Sequence, residues 1–202
     1  MTDPSRPLAI KLLAIAAGLV LTGAVWSAGT WSSFNATAAS PGDSVAAGTV
    51  TLTDNDGGAP LFALAGATVG SSATSCQKVT YGGSVPARLR LFATTGGTGL
   101  APYLTLTVTR GTIAGTPAAK SCTNFVADTT NYVGSGAGVV YSGTLAAFPS
   151  SSGTALADPV AGAPATWNAG DAHAYKLVVT MSSTSGAGKT ASADLSWVAT
   201  SA

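Results

Sequence analysis

Apolar and polar residues alternate with period two in several separate stretches of this chain, the pattern of a strand with one covered face. In Tyr103-Leu104-Thr105-Leu106-Thr107-Val108-Thr109, the leucines and the valine fall on one side and the threonines on the other. Tyr175-Lys176-Leu177-Val178-Val179-Thr180-Met181 brings Tyr175, Leu177, Val179 and Met181 to a common face. Ala193-Asp194-Leu195-Ser196-Trp197-Val198-Ala199 predicts Leu195 and Trp197 buried, with Asp194 and Ser196 outside. Arg88-Leu89-Arg90-Leu91 alternates charge with leucine, so its outer face must be wet. Thr49-Val50-Thr51-Leu52-Thr53 opens the set.

Such one-sided alternation is typical of antiparallel sheets, and two of them facing each other make a β-sandwich. The strands are parted by turn-forming clusters: Gly96-Gly97-Thr98-Gly99, Gly134-Ser135-Gly136-Ala137-Gly138, and residues 182–189. The last separates two strong strands and reads as a long hairpin loop. Residues 149–165 carry Pro149, Pro159 and Pro164 among small residues and read as a surface excursion. Leu145-Ala146-Ala147-Phe148 reads as one helical turn before Pro149.

The N-terminal stretch follows another rule. After a short polar start, Arg6 and Lys11 lead into an apolar run from Leu12 to Val25, and small residues follow. That is the layout of a secretory signal, too short for a comfortable spanning helix of about 20 apolar residues. Uncleaved anchoring is the alternative, since Trp26 and Trp31 sit where interfacial aromatics would. Cleavage is expected near Ala28 or near Ser33. The expected organisation is a signal peptide over 1–33, an arm over 34–48 and a sandwich over 49–202.

Composition agrees with strands and narrows the function. Hydrophobic residues make up 46% of the 202 residues and charged ones 8%, which permits a core and argues against disorder. All eight acids are Asp, a residue of turns and caps, and Glu, a helix former, is absent. Removing residues 1–33 takes Arg6, Lys11 and Asp3 from the nine bases and eight acids and leaves a formally neutral chain. Neutrality does little to oppose self-association. No basic cluster supports binding of nucleic acid. The two cysteines, Cys76 and Cys122, read as a disulfide in an exported protein. Closing that loop stabilises by about 3–4 kcal/mol on the chain-entropy account.

One resemblance sharpens this. Gly29-Thr30-Trp31-Ser32-Ser33-Phe34-Asn35, followed by Gly48-Thr49-Val50-Thr51-Leu52, resembles the start of TasA/camelysin-family proteins. The later segments Leu89 to Thr95, Pro102 to Val108, Trp167 to Asp171, Tyr175 to Met181 and Ala193 to Thr200 follow in the family's order. The resemblance implies a leader processed by a SipW-type signal peptidase with the cut near Ser33, and a jelly-roll-like sandwich. It also implies that residues 89–95 and 102–108 are paired strands around a glycine-rich turn. Its best-known members form matrix fibres in which the N-terminal segment of one subunit pairs with a sheet of the next. The corresponding donor arm here includes Phe34, Asn35 and Val45. From the residues alone, the arm equally folds back on its own domain or stays loose.

The camelysin name implies a metallopeptidase, but the residues for one are missing. A catalytic zinc takes three protein ligands, and the chain has a single histidine, His173, and no His-Glu-x-x-His motif. Asp171 and His173 read as a solvent-facing or locally hydrogen-bonded pair. Asp54-Asn55-Asp56-Gly57 resembles the opening of a calcium loop, yet the bidentate Glu of an EF-hand is absent and a turn explains it. No Gly-x-Ser-x-Gly elbow occurs, and the Gly134 to Gly138 stretch lacks nucleotide-loop spacing. Tyr81, Tyr132, Tyr141 and Trp167 are candidates for stacking on sugars, although single aromatics usually pack in cores. The expectation is therefore a non-enzymatic, secreted structural protein of the cell surface or biofilm matrix, without cofactor or metal. Its expected partners are copies of itself or other envelope and matrix proteins, with membrane contact only through an uncleaved leader. A monomeric surface-displayed binding or adhesion module is the alternative.

Overall fold

The structure, a computed structural model, describes residues 35–38 (backbone only), 52–55, 61–159 and 165–202. The expected leader helix, the cleavage positions Ala28 and Ser33, and Phe34 and Val45 of the arm lie outside the described residues. Those described belong to one unit, Phe34–Ala202.

Among the described residues, twelve strands occur in this order: β1 (Asn35–Ala38), β2 (Leu52–Thr53), β3 (Phe62–Leu64), β4 (Ser72–Tyr81), β5 (Ala87–Gly96), β6 (Leu104–Ile113), β7 (Phe125–Ala127), β8 (Val139–Thr144), β9 (Leu156–Ala157), β10 (Thr166–Trp167), β11 (Ala172–Met181) and β12 (Ala191–Ser201). They form two six-stranded antiparallel sheets, the β-sandwich expected from the patterning and, as the resemblance implies, jelly-roll-like. In the first sheet, β12 and β5 are the central pair, with β1 and β3 on the outer edge of β12 and β9 and β10 on the outer edge of β5. In the second, the order is β2-β4-β11-β6, and β7 and β8 both pair with the far edge of β6.

Alternation decides which side of each strand faces the other sheet. Leu104, Leu106 and Val108 of β6 meet Tyr175, Leu177, Val179 and Met181 of β11 in the core. Leu89 and Leu91 of β5 and Leu195 and Trp197 of β12 close it from the first sheet. Arg88 and Arg90 are exposed, as their alternation with leucine required. Ser196 departs from expectation, being buried with 7% exposure. Phe92, Ala155 and Val198 form a small cluster on that outer face, so the excursion after Pro149 covers ground the pattern assigned to solvent.

Two connections also differ. Residues 89–95 and 102–108 are not paired with each other: β5 bonds to β12 and β6 to β11 in the opposite sheet. The link over 182–189 is likewise no hairpin but a crossing from β11 in one sheet to β12 in the other. Period-two patterning states which face of a strand is covered and is silent on which strand lies beside it. Gly97 serves the first crossing: it takes φ +112°, and a Cβ there would lie 2.3 Å from the Thr190 carbonyl oxygen. The helical turn expected before Pro149 is present as a 3₁₀ turn, Leu145–Ala147, with the Thr144 hydroxyl accepting from the Ala147 amide.

Candidate functional site

Asn35 is the predicted arm residue that the structure places. It lies in β1, opposite Thr200 of β12, and Ala36, Thr37 and Ala38 follow opposite Ala199, Val198 and Trp197. The chain's first described strand thus runs antiparallel to its last. Nearer the start of β12, Ala191, Ser192 and Ala193 pair with Leu64, Ala63 and Phe62 of β3. The Leu61 amide continues that ladder by donating to the Ala193 carbonyl at 3.0 Å.

Cys76 and Cys122 are joined by a disulfide, as their compartment argument predicts, with Cα atoms 5.0 Å apart. Cys76 is buried on β4 and packs with Ile113 and Ala174, while Cys122, in the loop after β6, and Phe125 of β7 cover them. The bond thereby fastens residues 114–124 across the outer face of the second sheet. The Cys76 amide donates to the Lys120 carbonyl at 3.2 Å, and Lys78 Nζ donates to Gly115 at 2.6 Å. Asn55 adds a further tie, accepting from the Lys78 amide at 2.7 Å and donating to Ala118 at 3.1 Å. Asn55 of the Asp54-to-Gly57 turn is therefore a brace between loops. Asp56 lies outside the described residues.

Asp171 and His173 separate. Asp171 is held in a local turn, accepting from the Asn168 amide at 2.6 Å. His173 faces inward, half-buried, with its ring 4.6 Å from that of Trp167. Burial, and then Arg110, depress its pKa, so it is neutral at neutral pH. Among the described residues no group of three or more His, Cys or acidic side chains is arranged to hold a metal. Tyr81 and Trp167 are core residues rather than exposed stacking platforms. Tyr141 closes its hydroxyl on the Thr144 carbonyl at 2.7 Å and meets Phe148 edge-on.

Sequence reasoning missed a buried polar row. Gln77 of β4, Tyr175 of β11 and Arg110 of β6 lie side by side on the inward face of the second sheet. Arg110 is ion-paired to Asp128, which also accepts from the Tyr132 hydroxyl at 2.8 Å. Its Nε lies 2.9 Å from Asp158 Oδ1, close enough for an ion pair although not aligned as a hydrogen bond. Burial opposes the charge on Arg110, but Asp158 and Asp128 outweigh it and the guanidinium stays charged. Asp158 has a side-chain exposure of 0%, and burial pushes its pKa up despite Arg110 beside it. Tyr175 is held far from ionisation by burial and by Asp158. The available signal was the extension of one pattern: Arg110 shares parity with Leu104, Leu106 and Val108, and so falls on the core side.

No family model and no curated protein matches the sequence. Among solved structures, one chain in "Structure of infectious bursal disease virus Gx strain" is similar over 75% of this chain and 31% of that one, at 11% identity and a TM-score of 0.28. This chain therefore spans about a third of that viral chain. A likeness so slight carries no argument about function. No helix among the described residues is long and apolar enough to cross a membrane. The disulfide is of the kind formed in an oxidising compartment.

Proposed function

We propose that this is a non-enzymatic, secreted structural protein of the cell surface or extracellular matrix, which associates with its own kind by exchanging its N-terminal arm. The observation that carries this reading is the antiparallel pairing of β1, from the arm, with β12. A strand of four residues at a sheet edge is held mainly by backbone hydrogen bonds, and those bonds do not depend on which copy supplies the strand. Exchange between copies therefore replaces each bond by an equivalent one, so concentration and linker geometry decide between monomer and chain. The TasA/camelysin resemblance of residues 29–35 and 48–52 points the same way.

The same pairing closed within one chain supports a second reading, a monomeric displayed module whose arm only seals its own edge. Electron microscopy of the secreted protein separates the two. Filaments that vanish when residues 34–48 are deleted support exchange. Monodisperse particles at all concentrations support the monomer, and filaments that survive the deletion refute the arm's role.

A further inference from the structure

The outer edge of β5 is covered in an unusual way. β5 has ten residues, yet its outer partners are two strands of two residues each. Arg90 and Leu91 pair with Ala157 and Leu156 of β9, and Ala87 and Arg88 with Trp167 and Thr166 of β10. Two further bonds flank β9: the Ala93 amide donates to the Pro149 carbonyl at 2.9 Å, and the Asp158 amide to the Leu89 carbonyl at 3.0 Å. From Leu89 to Ala93, the edge is thus guarded by the single stretch 149–159. A two-residue strand pairs weakly by itself. What fixes this stretch is its side chains. Ala155 packs on Phe92 and Val198 outside the sheet, and Asp158 reaches through to Arg110 of the opposite sheet.

That anchor is an odd choice for stability alone. A buried ion pair is often no better than apolar packing of the same volume, whereas removing one partner strands the other. Such a pair suits an element that has to sit in one place or come away. Asp158 is the one charged residue of 149–159, so the segment's ionic tie to the opposite sheet rests on it.

We propose that residues 149–159 are a latch, held by Asp158 on Arg110, and that its release opens the β5 edge to β5 of a second copy of this chain. The opposite edge of the first sheet carries β1 and β3 on β12, so an addition at β5 uses a different edge from the arm's. A two-fold axis through Phe92 would set Leu91 opposite Ala93 and Arg90 opposite Thr94. That register keeps like-facing residues together and the arginines apart. Lifting the latch also bares Phe92 and Val198, an apolar patch beside the edge. The inference shares with the proposed function only the premise that the chain adds strands to itself, and it uses another edge.

The test is Asp158→Ala, which removes the side chain that reaches Arg110, in the otherwise intact secreted protein, read by amide exchange and sedimentation. The expected result is at least tenfold faster exchange at Ala93, unchanged protection in β6 and β11, and a concentration-dependent dimer. The dimer is expected to persist when residues 34–48 are also deleted, which separates this edge from the arm. Should Asp158→Ala lose protection throughout, Leu156→Gly loosens the latch without touching the ion pair and is read the same way. Unchanged Ala93 exchange in a folded variant overturns the latch. An open edge that stays monomeric, or a dimer that needs the arm, overturns the β5–β5 contact.

Discussion

Trp197 of β12 packs on Tyr175 of β11 with ring centroids 4.3 Å apart and planes inclined by 47°, so one aromatic contact joins the two sheets through the middle of the core. Both rings are almost wholly buried. Trp197 also stands opposite Leu91 of β5 on one side and Ala38 of β1 on the other, which places it behind the arm's pairing.

Truncating it removes this cross-sheet aromatic contact of β12. Trp197→Ala is expected to lower the unfolding free energy by about 3–5 kcal/mol, the usual result of emptying an aromatic site. Thr105→Ala, on the exposed face of β6, is the control and is expected to stay within about 0.5 kcal/mol. Urea titrations with unchanged slope check both.

The disulfide gives a different signature. Cys76 and Cys122 are 46 positions apart, and their bond pins residues 114–124 over Ile113 and Ala174. Replacing both by Ala is expected to remove about 2–4 kcal/mol of stability. The local effect should be larger than the global one: amide exchange at Phe125 and Ser121 should rise before that of β11. If the loop keeps its protection, the Asn55 and Lys78 ties rather than the disulfide hold it.

How much of this was legible in the sequence depends on the kind of information asked for. The inward faces of β5, β6, β11 and β12 follow from parity alone, because a side chain's side is fixed by its position along the strand. Neighbours are not so fixed, and the two hairpins expected around Gly96–Gly99 and over 182–189 proved to be crossings between sheets. Ser196 was assigned to water because nothing local says that the excursion after Pro149 brings Ala155 onto Phe92 and Val198 of the same outer face. Arg110 was legible and passed over, since a charged residue at core parity contradicts the expectation that alternation sets up. Asp158 was not legible: it sits in a proline-rich excursion, and only the fold brings it to Arg110.

The arm's pairing has its own consequence. Proline removes an amide donor, and one of two consecutive residues in an antiparallel edge strand donates to its neighbour. Ala36→Pro combined with Thr37→Pro is therefore expected to detach β1 whatever its exact bonding. Amide exchange should rise at Val198 to Thr200 and stay unchanged in β4 and β6. Filament formation, where the wild type shows it, should be lost together with that protection. Filaments that persist would leave the arm a mere edge cover.

Acid should act on two neighbouring groups in opposite directions. His173 has a folded pKa lowered from 6.5, by burial first and by Arg110 next. Below about pH 6.5 the unfolded chain therefore binds a proton that the folded chain refuses, and stability falls as pH falls. Asp158 has a folded pKa raised from 3.8 by burial. Between that value and its folded one the folded chain binds the extra proton, so stability rises as pH falls and is lost as pH climbs. Chemical denaturation of single variants between about pH 7 and pH 4 separates the two, in the window these directions define. Asp158→Asn leaves only the histidine and should lose stability steadily on acidification, whereas His173→Gln leaves only the carboxyl and should gain. If the two profiles have the same slope, the burial of one of these groups has been misjudged, and retention of the Ala93 amide's protection in each variant identifies whether the latch has moved.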